Sequence, residues 1–195
     1  MARVGELLAV EGASYAIVVL GGAALNLLGI IERPTTDVDI LAFAHPEFAP
    51  REISEPPEPM PEPLRLAALA VARDMGLDER WLNVGPSLQW RAGLPPGLAT
   101  RVHWRLYDAL NVGLVDRYDL IFFKLFAATD SPGPESVHYR DLLALAPTAA
   151  ELEAADGWVQ TQDASPEFGE ILRRVVIHVG RDLGFDTASD ARRDR

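Results

Sequence analysis

The sequence predicts an α+β protein, a small mixed β-sheet packed with helices and followed by further C-terminal helices. Three observations predict it. The run from Tyr15 to Phe43 reads as strand, glycine break, short helix, loop and second strand. Residues Arg101 to Leu106 alternate polar and apolar side chains, which is the period of a strand. From Asp116 onward the chain is helix-forming sequence punctuated by cap signals.

Taken in order, residues 3–12 read as a short amphipathic helix. Tyr15 to Leu20 is apolar, and its β-branched Ile17-Val18-Val19 suits a buried strand. Gly21-Gly22 breaks that strand. Ala23 to Ile30, rich in Ala and Leu, is expected to form a buried helix ending near Gly29, and Thr36 to Phe43 returns to strand. Between His45 and Pro63 lie seven prolines and five glutamates, so residues 46–63 are expected to form an extended surface loop. Residues 64–76 are strong helix formers with Gly76 as C-cap. Trp81 to Gly97 is turn-rich and is assigned no element.

In the next strand Val102, Trp104 and Leu106 share one face, expected to be buried, and Arg101, His103 and Arg105 share the other. Leu110 to Val115 pairs with it as a hairpin. Asp116 reads as the N-cap of a helix through Leu120, Phe123, Lys124 and Ala127. Three more helices are expected: His138 to Leu145; Thr148 to Trp158, opened by the capping-box spacing Thr148…Glu151; and Ser165 to Leu183, with Pro166 in its first turn. This divides the chain into a core over 1–130, a helical part over 131–186 and a frayed tail over 187–195.

Composition narrows the function classes. With 195 residues, 48% apolar and 24% charged, the chain is long enough to bury a core without staples. It has no cysteine, so disulfides and thiolate zinc sites are excluded, and a reducing cytoplasm is the expected location. Its four histidines show no close ligand spacing. No apolar run reaches a membrane span. A net charge of −11 argues against indiscriminate nucleic-acid binding, although a strip of Arg91, Arg101, Arg105 and Arg140 would allow an RNA acceptor.

The chemistry is concentrated in VVLGGAALNLLGIIERPTTDVDIL. On a strand, Asp37 and Asp39 project to one face while Val38 and Ile40 point to the core. Two hard oxygen ligands on a rigid strand suit Mg²⁺ or Mn²⁺ together with phosphate oxygens. Gly21 and Gly22, having no Cβ, let backbone N–H groups close on a phosphate. Arg33, Thr35 and Thr36 lie in the approach loop and can add donors. An Asp-X-Asp triplet alone is common and Gly-Gly is usually a turn, so an unrelated α/β domain carrying both by chance stays among the readings.

The stretch from Gly21-Gly22 to Asp37-Val38-Asp39 resembles the signature of the nucleotidyltransferase superfamily, with its minimal polymerase-β-like fold. RPTTDVDIL is similar to small bacterial members of the AbiEii and MNT type, linked to toxin–antitoxin pairs. DLIFFKLFAATD…YRDLLAL resembles the group's second signature, a Lys on one helix and an Asp on the next. The resemblance spans about residues 15–145. It implies a metal-dependent transfer of an NMP group from a nucleoside triphosphate to a hydroxyl on a protein, a small molecule or RNA. It assigns metal to Asp37 and Asp39, and nucleotide to Gly21, Gly22, Lys124 and Asp141, with Arg140 a weaker carry-over; Arg33, Thr35 and Thr36 join the expected nucleotide contacts from their place in the approach loop. From its sequence neighbours alone, Lys124 either snorkels from an apolar face or points into a cleft, and Asp141 is either a surface acid or a partner for Lys124 or Arg140.

One departure stands out. Active members of that superfamily usually add a third carboxylate from a neighbouring strand, whereas the polar face of Arg101 to Leu106 offers Arg101, His103 and Arg105. The base for the attacking hydroxyl is then either missing or His103. The alternative is a catalytically silent protein that binds nucleotide or a partner protein.

Overall fold

Strand β1 (Tyr15–Leu20) is bonded on both edges, and its last five residues are buried. Strand β2 (Val38–Ala44) pairs antiparallel to it on one side. On the other side β6 (Leu110–Leu114) pairs parallel to it and carries β5 (His103–Tyr107) antiparallel at the edge. The outer edge of β2 takes two short strands, β3 (Ile53–Ser54) at its C-terminal end and β4 (Leu82–Asn83) at its N-terminal end. The protein is therefore mixed α+β with one small mixed sheet. The computed structural model describes residues 1–45, 52–131, 133 and 136–185, and the side chains of residues 87, 88 and 91 lie outside that description.

The chain divides into two compact units, residues 1–116 and 117–195. In the first, helices α1 (Ala2–Val10) and α3 (Glu62–Met75) cover one sheet face. Val4 and Leu8 of α1, and Leu64, Ala68 and Val71 of α3, pack with Ile17, Val19, Ile40, Phe43, Val112 and Leu114. Each buried aliphatic side chain contributes about 1.5–3 kcal/mol relative to exposure, so burying this layer stabilises the unit. Gly76 ends α3 in the left-handed conformation, as its sequence position predicts. The remaining helices of this unit are α2 (Gly21–Leu27), α4 (Ser87–Ala92) and α5 (Leu98–Arg101).

The second unit is helical: α6 (Arg117–Asp130), α7 (Val137–Ala144), α8 (Ala149–Val159) and α9 (Pro166–Asp182). Phe122 and Phe123 of α6 meet the Trp158 ring at centroid distances of 5.9 and 5.6 Å, within the favourable range for tilted and edge-on rings. The capping box forms, Thr148 accepting from the Glu151 N–H while Glu151 accepts from the Thr148 N–H. Glu151 also takes two hydrogen bonds from Arg117, at 2.8 and 3.1 Å.

Several elements differ from the sequence reading. Helix α2 begins at Gly21 itself, so the glycine pair is the first turn of the helix and not a break before it. Strand β2 starts at Val38, leaving Asp37 just ahead of it. The expected loop 46–63 contains β3 and the first turn of α3; its residues 46–51 lie outside the described residues, as does the expected tail 187–195. The unassigned stretch 81–97 supplies β4 and α4. Leu106 is not on a buried face but 69% exposed, because β5 is an edge strand and Leu106 sits opposite half-buried Asn111. The hairpin does form, through the two residues Asp108 and Ala109, and Asp108 takes a φ of 53° that Asp tolerates better than most residues.

Two consequences can be measured. A Cβ on Gly5 would come within 1.7 Å of the Tyr107 carbonyl oxygen, a backbone atom that cannot move alone. Gly5→Ala is expected to lower stability by about 1–3 kcal/mol or more in urea denaturation, by forcing α1 away from the hairpin. The Arg117 hydrogen bonds hold the Glu151 carboxyl at about 2, below its usual 4.5. A depressed carboxylate stabilises the fold fully above its unfolded value and loses that contribution as pH falls through its folded value. The stability difference between wild type and Glu151→Gln should therefore shrink as pH falls from about 4.5 to about 2.

Candidate functional site

The C-terminal end of β1 gathers most of the residues singled out in the sequence. Leu20 is in register with Asp39, and Gly21 follows with a φ of 73°. A side chain there would be strained and would also meet Asp39 Oδ2 at 3.1 Å, so only glycine lets the helix start directly against the carboxylate. Gly22 faces the approach loop, where a Cβ would lie 3.0 Å from Thr35 Oγ1 and 3.6 Å from Arg33 Nη2. The Thr35 hydroxyl is 3.1 Å from both Asp37 Oδ1 and the Asp37 carbonyl oxygen, so it donates toward this residue. Gly21, Gly22, Arg33, Thr35, Asp37 and Asp39 thus form one cluster, with Thr36 exposed beside it.

Three residues that the sequence reading passed over hold this cluster. Asn26, the polar side chain in an otherwise apolar helix, donates to Gly22 O at 3.3 Å and to Arg33 O at 2.7 Å. It ties the approach loop to α2. Asn83 is in register with Asp39 and donates from Nδ2 to Asp39 Oδ1 at 3.1 Å, while its own Oδ1 accepts the Gly85 N–H at 2.8 Å. The second bond fixes which way the amide points. Trp81 secures β4 by donating its indole N–H to Ala68 O of α3 at 3.0 Å, and its carbonyl accepts the Val38 N–H. The isolated Asn in α2 was a usable sequence signal, but a two-residue strand is too short to leave one.

Exposure is graded across the carboxylates, Asp37 being exposed and Asp39 half-buried. Among the described residues no three His, Cys, Asp or Glu side chains form a metal-binding group. The Asp37 and Asp39 carboxylates are oxygen ligands of the kind Mg²⁺ prefers, whereas Asn83 turns its NH₂ to Asp39 and its oxygen to the Gly85 N–H; Mg²⁺ keeps several waters and takes its other ligands from phosphate.

His103 lies elsewhere along this end of the sheet. Its Nε2 is 2.5 Å from Asp116 Oδ2, and three strand spacings separate β5 from β2, about 14 Å. It is not a base adjacent to Asp37 and Asp39. Asp116, expected only as a helix cap, directly precedes α6 and pairs with this imidazole. Of the expected basic strip, Arg101 donates to Pro96 O and Arg105 to Leu27 O, both at backbone carbonyls. The Arg91 side chain lies outside the described residues, and Arg140 is exposed in the second unit.

Lys124 and Asp141 also belong to the second unit, where Lys124 Nζ donates to Asp141 Oδ2 at 2.7 Å with side chains only 7% and 3% exposed. Of the alternatives open in the sequence, the partner of Asp141 is Lys124.

No protein-family model, curated protein or solved structure matches this chain significantly. The fold and the cluster define a mixed α+β protein with a carboxylate and glycine site at one end of its central strand.

The buried pair supplies a prediction. Lys124→Met removes the cation bonded to the buried Asp141 carboxylate and should cost about 3–5 kcal/mol in urea denaturation. Lys124→Met/Asp141→Leu, which removes both charges, should recover most of that loss.

Proposed function

We propose that the chain is a nucleotidyltransferase-like protein whose Asp37 and Asp39 hold a divalent cation and the phosphates of a nucleoside triphosphate. The observation that carries this reading is the packing of Asp39 Oδ2 against Gly21, at the start of a helix whose first turn has no side-chain cap. A carboxylate beside the start of a helix, where the first backbone N–H groups lack intrahelical partners, is the mixture that a metal-bound phosphate requires. Thr35 and Arg33, beside Gly22, add a hydroxyl and a guanidinium.

In the transfer reaction, the acceptor hydroxyl oxygen bonds to the α-phosphorus as the bond to pyrophosphate breaks, and the hydroxyl proton passes to a base. A cation held by Asp37 and Asp39 would supply the charge to polarise the phosphoryl group and steady the leaving pyrophosphate. Asp39, aimed by Asn83, and Asp37, aimed by Thr35, supply fixed ligand directions, and the glycines allow close approach. With a net charge of −11, a protein or small-molecule acceptor is favoured over RNA, and the resemblance of RPTTDVDIL suggests a bacterial toxin–antitoxin setting.

A second reading has its own support. The strand beside Asp39 presents the amide Asn83, hydrogen-bonded to that carboxylate, and the polar face of β5 presents His103 and Arg105, so neither strand offers a third carboxylate for a two-ion site. A neutral amide orients Asp39 but adds no anionic ligand and no base. This favours nucleotide binding without transfer, the chain then acting through a partner protein.

Thermal and chemical unfolding with each of ATP, GTP, CTP and UTP, with and without Mg²⁺, tests the common core of both readings. At about a hundred times its dissociation constant a nucleotide should stabilise the fold by roughly 2.7 kcal/mol, and Asp37→Asn/Asp39→Asn should abolish the shift without unfolding the protein. A stabilisation that survives in the double variant, or none with any triphosphate, refutes the site. Pyrophosphate release from a stabilising triphosphate then separates transfer from silent binding.

A further inference from the structure

Helix α9 has two working faces. Leu172, Val175 and Val179 are buried in the helical unit. A flanking stripe, Ile171, Arg174, Val175 and His178, recurs at i, i+3, i+4 and i+7, and Arg181 and Asp182 continue it. Together with Tyr139 of α7 this stripe lines a cavity of about 470 Å³, within the range of small-molecule sites. The Tyr139 ring is a rigid wall, only 6% exposed, and its hydroxyl donates to Asp182 Oδ2 at 2.7 Å. Burial and the neighbouring carboxylate push the ionisation of this phenol well above its usual range, so it remains a hydrogen-bond donor.

The charges of the cavity are unusual for so acidic a chain. Among the described residues that line it, Arg174 and Arg181 stand against the one carboxylate of Asp182, before His178 is counted. They are also unevenly spread. Asp182 lies eight residues beyond Arg174, about 12 Å along the helix, and shares its end with Arg181 and the Tyr139 hydroxyl. Glu170, outside the lining, bonds Arg173 and only approaches Arg174, at 4.0 Å and with both side chains well exposed. Such a surface pair is weak and yields readily to a better anion.

We propose that this cavity binds a small organic anion, its carboxylate or phosphate head on Arg174 and His178 and its compact apolar body against Ile171, Val175 and the Tyr139 ring. The guanidinium fork matches either head in a two-point contact. Repulsion from Asp182 directs the head to the Arg174 end, and the apolar wall selects an organic anion over a free inorganic one. This site is independent of the nucleotide reading and uses no residue of the Asp37 cluster.

Isothermal titration of the full chain with benzoate and with phenyl phosphate tests it. Saturable one-to-one binding of at least one probe is expected, weakened about tenfold or more in Arg174→Gln, an exposed position whose substitution should leave the circular dichroism and unfolding curve unchanged. Benzamide, neutral and of similar shape, should bind much more weakly than benzoate. Binding should persist without Mg²⁺ and in Asp37→Asn/Asp39→Asn, which separates it from the nucleotide site. The proposal is overturned if neither anion binds saturably, if folded Arg174→Gln binds as tightly as wild type, or if the Asp37/Asp39 variant abolishes binding.

Discussion

Strand β1 is the constraint on which the first unit depends. It is buried on both faces and bonded on both edges, so its neighbours cannot slide without exposing apolar surface or breaking a ladder. The register of β2 against it contains a bulge. Val18 pairs with Ala42 and Val19 with Ile40, leaving Leu41 as the extra residue. Ile40 and Phe43 are three apart and in an unbroken strand would face opposite sides, yet both join the core under α1 and α3. The bulge therefore reconciles a continuous core with Asp39 on the opposite face. A one-residue slip would turn Asp39 toward the apolar layer, where an unpaired charge is expensive to bury.

The polar groups around that carboxylate are held by a chain of hydrogen bonds that begins far from it. The Trp81 indole is fastened to α3, its carbonyl to the start of β2, and two residues later Asn83 reaches Asp39. Asn26 does the equivalent work on the other side, joining α2 to the approach loop. Each link gives a carboxylate or backbone group a fixed direction, and such preorganisation is what a site for a charged ligand needs. A helix beginning at a positive-φ glycine completes the arrangement, since any Cβ at Gly21 would press on Asp39.

The helical unit manages its buried charge differently. Lys124 lies on a helix lined with phenylalanines, and its ammonium is matched at 2.7 Å by Asp141 of the next helix. Such a pair adds little net stability compared with an apolar replacement, but each partner is costly to lose alone. It gives α6 and α7 a defined mutual position, beside the less specific packing of Phe122 and Phe123 on Trp158.

Much of this was legible in the residues themselves. Tyr15–Leu20 as a strand, Gly76 as a helix stop, the Thr148…Glu151 capping box, Pro166 at the head of the last helix and the hairpin after Tyr107 are all determined within a few residues. Backbone sterics, caps and side-chain periodicity act over that range. The neighbourhood of Gly21, Gly22, Thr35, Asp37 and Asp39 could be read for the same reason, being one strand–helix–strand unit. Only the tertiary structure decided that Asn83, 44 residues away, would face Asp39, that Leu106 would lie open on an edge strand, that Leu41 would bulge, and that Lys124 would bond Asp141. Those outcomes depend on strand order and on which surfaces remain to be covered, which no local run of residues encodes by itself.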